Sequence, residues 1–89
     1  MFPPVSWTEQ AEEHIARHAV RPAEVEQVLY GRPRYVAAGR SGTTLVFGTS
    51  AAGRHLLVVI GAAPDGGVSI VTAREMTETE RRTFRRKGN

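Results

Sequence analysis

The segment Ser69-Ile70-Val71-Thr72-Ala73-Arg74 runs as an apolar strand straight into an arginine. Thr77 then opens a helix that carries Arg81, Arg82, Arg85 and Arg86. A guanidinium fixed where a strand meets a helix suits an anion, because its planar fork grips phosphate through two N–H groups. The four helical arginines span an arc of roughly 140° at ~100° per residue, a stripe able to follow a phosphate backbone. The competing reading is a solvated set of cations favoured by the helix dipole. Phosphate, and so nucleic acid, is the first ligand to consider.

Two further arginines and two histidines bear on the same chemistry. Arg54 opens the most apolar strand and Arg74 closes the last one. If those strands pair antiparallel in sequence, both arginines reach one end of the sheet, where they could stabilise charge developing on a phosphate. Alternatively each pairs with a glutamate such as Glu75 or Glu24. His14 and His18 are four residues apart, on one helical face. They could share a metal, bond helix-end carbonyls or move protons, the last being natural for imidazole. No third ligand lies nearby and His55 is not obviously placed to supply one, so no metal or other cofactor is expected. Tyr30, Tyr35 and Trp7 could stack on bases or belong to the core. There is no nucleophile elbow, P-loop or dinucleotide fingerprint.

These groups need a scaffold, and the pattern supplies an α+β one. Ser6 or Thr8 caps a first helix running to Ala19, Ser6 with Glu9 having capping-box spacing. Arg21-Pro22 starts a second helix, in which Val25, Val28 and Leu29 form the apolar face, Glu24 and Glu26 face water, and Gly31 ends it. Strands are expected over 34–38, 43–49, 54–62 and 68–72, separated by glycine-rich turns. Leu56-Leu57-Val58-Val59-Ile60 is too continuous for a one-sided strand and should be central, covered on both faces. Thr77 and Glu80 have capping-box spacing and open the last helix, whose one large apolar residue is Phe84. Tight turns make the four strands an antiparallel meander, preceded by two helices and closed by a third.

Composition sets the outer limits. Eighty-nine residues form one domain, 1–89, and with no cysteine its core must stabilise it unaided. No apolar run approaches the ~20 residues that span a bilayer, and no signal peptide is visible, so a cytoplasmic protein is expected. The net charge of +3 is uneven: residues 1–30 hold two arginines against five glutamates (−3), and residues 31–89 hold nine arginines and a lysine against four acids (+6). That split suggests a basic working face, and would permit homo-oligomers through the acidic helices.

A family pattern fits as well. Trp7-Thr8-Glu9 leading to Glu13-His14-Ile15-Ala16-Arg17-His18-Ala19-Val20 resembles the opening of the BrnT toxins, although Thr8, Arg17 and Ala19 stand where the family has an acid, a lysine and a glycine. Gly53-Arg54 before an apolar strand, and Ile70 to Arg74 followed by Thr77 and Glu80-Arg81-Arg82, resemble that family's centre and close. The resemblance implies a RelE-like fold and a ribonuclease toxin of a type II toxin–antitoxin pair, with RNA and a cognate antitoxin as partners. It makes His18, with His14 as the substitute, the proton carrier, and Arg54 and Arg74 the groups that stabilise the phosphorane-like charge. Arg40, Arg81, Arg82 and Arg85 would then hold the RNA. Cleavage would proceed by metal-free attack of the ribose 2′-hydroxyl on the adjacent phosphate. The alternative is a catalytically silent module of the same fold that binds nucleic acid or antitoxin.

Overall fold

The computed structural model describes residues 4–88. Its element order is β1 (Val5–Ser6), α1 (Glu9–Ala16), α2 (Pro22–Tyr30), β2 (Arg34–Ala38), β3 (Thr44–Thr49), β4 (His55–Ala62), β5 (Val68–Glu75) and α3 (Glu78–Lys87). The meander β2-β3-β4-β5 is antiparallel throughout, as the short turns require. The sheet nevertheless has five strands in the order β1-β5-β4-β3-β2, and its outermost pair is parallel. The expected four-stranded antiparallel sheet is thereby corrected. Val5 and Ser6 lie opposite Val68 and Ser69, and Val68 N–H donates to the Pro4 carbonyl at 3.0 Å. Two residues cannot display a period-two pattern, so this strand left no trace in the periodicity.

Ser6, being in β1, is not the cap of α1. Thr8 is: its side chain accepts from Ala11 N–H at 3.0 Å. The helix also stops short of Ala19. Val20 N–H bonds Ile15 O and Ala19 N–H bonds Ala16 O, both at 3.0 Å, while Ala19 adopts φ 56°. Those two bonds around a left-handed residue form a Schellman motif, and the buried pair Ile15 and Val20 supplies its hydrophobic contact.

Helices cover both faces of the sheet. Ala11 and Ile15 of α1, with Val25, Val28 and Leu29 of α2, pack on Val46, Leu56, Val58, Ile60, Ile70 and Ala73, and Trp7 packs at the margin. On the opposite face Phe84 of α3 and Met76 meet Phe47 and Leu57, flanked by Tyr35, Leu45 and Val59. The sandwiched strand is β4, so its unbroken apolar run is explained by burial on two sides. A bulge between Val59 and Ile60 shifts the β4–β5 register, which brings Ala73 and Ile70 to the same face.

Candidate functional site

The sheet end where β4 begins and β5 finishes is built from one turn and one helix start. Ser50 N–H donates to Arg54 O at 2.9 Å, and Gly53 N–H returns to Ser50 O at 2.9 Å. Gly53 takes φ 88°, a conformation that side chains resist. The buried Ser50 hydroxyl accepts from Arg54 N–H at 3.2 Å. This turn launches Arg54 and His55 in succession, and strand alternation sends them to opposite sides.

Arg54 goes to the α1/α2 side, into a dense set of acceptors. Its NH1 donates to Ala19 O at 2.8 Å and to the two Glu24 oxygens at 3.0 and 3.1 Å. Its Nε and NH2 both reach Glu75 Oε2, each at 3.2 Å. One guanidinium thus ties the turn after α1, the start of α2 and the end of β5. Glu24, expected to face water, is 4% exposed. It also accepts from Arg21 N–H at 3.0 Å, the carboxylate half of a capping box. The guanidinium of Arg21 has no acceptor with which to return that bond. The Arg21 N–H bond and the Arg54 cation hold the Glu24 carboxyl below its ordinary value, against the opposing effect of burial. Burial works against the Arg54 charge, and the carboxylates of Glu24 and Glu75 outweigh it, so its pKa is raised.

His55 goes to the α3 side. Its ring stands edge-on to Phe84, with centroids 6.1 Å apart, and its carbonyl accepts from Met76 N–H at 3.0 Å. Beside it opens a polar cleft of about 240 Å³ lined by Gly53, Arg54, His55, Glu75, Met76 and Arg81. Arg81 sits on the turn of α3 that precedes Phe84, so it is drawn inward and half-buried. Its Nε is buried without a hydrogen-bond partner among the described residues. A donor in that state is costly unless something accepts from it.

Arg74 lies opposite Leu57, so it projects on the α3 face while Arg54 projects on the other. The two share a sheet end, as the antiparallel order requires, but not a face. Arg74 grips Glu80 with NH1 and NH2 at 2.8 and 2.9 Å and caps Glu75 O at 3.0 Å. The Glu80 pair raises the Arg74 pKa, and the same pair lowers that of Glu80. Each strand arginine therefore engages glutamates. His18 is exposed in the turn after α1, one residue before the carbonyl held by Arg54. His14 is half-buried on α1 in a hollow with Thr8, Ala11, Ile70 and Val71. Arg40 is in the β2–β3 turn, at the sheet end remote from the cleft. Arg82, Arg85 and Arg86 line a groove on the outer side of α3, from which Arg81 is turned away.

Guanidinium groups from separate segments do meet an imidazole, then, but the set is Arg54, Arg81 and His55. A lone histidine in a strand carries no motif, so His55 is hard to single out from the sequence. The available signal was its place next to Arg54 at the head of the central strand. Glu24 was legible too, since the third residue of a proline-started helix is where a carboxylate folds back on the cap.

No protein-family model and no curated protein matches this chain. Among solved structures, it is similar to the crystal structure of the Brucella abortus ribonuclease toxin BrnT, with a TM-score of 0.64 over 83% of this chain and 96% of that one, at 17% identity. The chain has a BrnT-like fold, in agreement with the resemblance of its opening and closing segments.

Proposed function

We propose that this protein is a ribonuclease toxin that cleaves RNA at the cleft between β4, β5 and α3, and that a cognate antitoxin masks it. The observation that carries the reading is the cleft itself, with an imidazole and two guanidinium groups at one sheet end of a fold shared with a ribonuclease toxin. In RNA the nucleophile is already present. The 2′-hydroxyl oxygen forms a bond to the adjacent phosphorus, the bond to the 5′-oxygen breaks, and a cyclic phosphate and a 5′-hydroxyl result. A proton must leave the 2′-oxygen and another must reach the 5′-oxygen. His55 is the group in the cleft suited to move a proton, and Arg81 and Arg54 offer N–H donors to the crowded, more negative phosphorus centre.

The test sets the two imidazoles against each other. Purified protein cleaves a labelled RNA, His55→Ala lowers the rate by about 10²-fold or more, and His18→Ala leaves it within about threefold of wild type. Induction in bacteria arrests growth, and His55→Ala relieves the arrest. A rate lost in His18→Ala and kept in His55→Ala moves the chemistry to the turn after α1. The engagement of Arg54 and Arg74 with glutamates favours a second reading, the silent binding module. RNA bound without cleavage at any pH between 5 and 9, and normal growth on induction, would establish it.

A further inference from the structure

The two sides of the Arg54 fork are held very differently. NH1 faces inward, to a backbone carbonyl and to the buried carboxylate of Glu24. The Nε–NH2 edge, which is the edge that grips phosphate in a bidentate way, faces Glu75. Only one oxygen of Glu75 meets it, and that side chain is 65% exposed. Glu75 lines the same cleft as His55 and Arg81, and the buried Arg81 Nε has no acceptor among the described residues. The cleft is therefore lined by two arginines, one of which has a buried N–H that is partnerless among the described residues, and by a single, loosely held carboxylate.

We propose that Glu75 is an internal substitute for a phosphoryl group: a phosphate displaces it from the outer edge of Arg54 and bonds Arg81 as well. Exposed ion pairs of this kind are weak, so exchange is easy. A phosphate has more acceptor oxygens than the carboxylate and can serve both arginines together, whereas Glu75 serves one. Glu24 keeps Arg54 in place throughout, because its bonds lie on the far side of the guanidinium. The inference rests on the reading of the cleft as the phosphate-handling site, and it adds a built-in competitor that sets how strongly substrate is held.

The experiment follows the arginine Nε–H signals by ¹H–¹⁵N NMR during titration with inorganic phosphate, using sodium chloride at matched ionic strength as the control. Phosphate, and not chloride, shifts the Arg54 and Arg81 signals saturably. Glu75→Gln moves the midpoint to about fivefold lower phosphate, with a melting temperature within about 2 °C of wild type. Arg81→Gln abolishes saturation, and Arg82→Gln does not. A midpoint unchanged in Glu75→Gln overturns the inference, as does a response confined to Arg82, Arg85 and Arg86. RNA cleavage assayed on the same samples separates the two readings. Phosphate exchange without cleavage defeats the ribonuclease reading alone, and cleavage without the Glu75 effect defeats the exchange alone.

Discussion

Ala19 shows how one side chain can sit against a local rule. The Schellman turn after α1 needs a left-handed residue, and at φ 56° the Cβ of Ala19 crowds the following carbonyl oxygen, at a cost on the order of 1 kcal/mol. The turn persists because Ile15 and Val20 are buried together and Arg54 NH1 holds the Ala19 carbonyl. Glycine would keep both contacts and remove the strain. Ala19→Gly should therefore stabilise the protein by about 0.5–1 kcal/mol, seen as a melting temperature higher by about 4 °C. An unchanged or lower melting temperature would mean that the strain is relieved some other way. His18, the preceding residue, lies in this same turn, so its position is set by the backbone geometry around Ala19.

At the scale of elements, α3 is the instructive one. A ten-residue helix with one buried large side chain has little to hold it on a sheet: fully burying Phe84 contributes about 2–3 kcal/mol. Two polar devices make up the rest. Thr77 Oγ1 accepts from Glu80 N–H at 3.2 Å while Glu80 Oε1 accepts from Thr77 N–H at 2.8 Å, the full capping box expected from the spacing. The same Glu80 carboxylate is clamped by Arg74 from β5. Arg74 is thus the brace that fixes α3, and through it Arg81, over the cleft. Arg74→Ala should cost about 1–2 kcal/mol, and should raise amide exchange in α3 before that of β4. Exchange rising equally in both elements would show that α3 does not open by itself. On the proposed ribonuclease reading, cleavage lost in this variant through a displaced Arg81 should be rescued only in part by Arg74→Lys, since lysine cannot form the two-pronged contact.

Across the whole molecule the uneven charge becomes a layered one. The acidic segments α1 and α2 cover one face, and the arginines of α3 lie on the other, which makes the α3 side the more basic one. The buried carboxylate of the acidic layer couples the fold to pH. Glu24 and Glu80 both have pKa values lowered from 4.5 in the folded state. Their contribution to stability is accordingly complete above about pH 4.5, and it is lost as pH falls through the lowered folded values. Denaturant unfolding should give constant stability from pH 6 to 8 and a steep decline below about pH 4.5. Glu24→Gln should lower stability at pH 7 by about 2 kcal/mol, because Arg54 loses its buried counter-charge, and its acid decline should be shallower. A variant with wild-type stability at pH 7 would show that Glu75 suffices as the counter-charge of Arg54.

The order of elements, the turns, the double burial of β4 and the capping box of α3 were determined locally, by repeat patterns and by residues with narrow backbone preferences, and these are visible in one dimension. The arginine at the head of β4 and the one at the foot of β5 were equally visible. Which face each took depended on strand parity counted through the pairing register, and which partner each met depended on where helices distant in sequence came to rest. Hence the parallel strand β1, the buried Glu24, the inward turn of Arg81 and the placement of His55, rather than His18, beside the cleft were decided only by the tertiary structure. Contacts such as Arg54 with Glu24 join residues far apart in the chain, and no spacing rule encodes them.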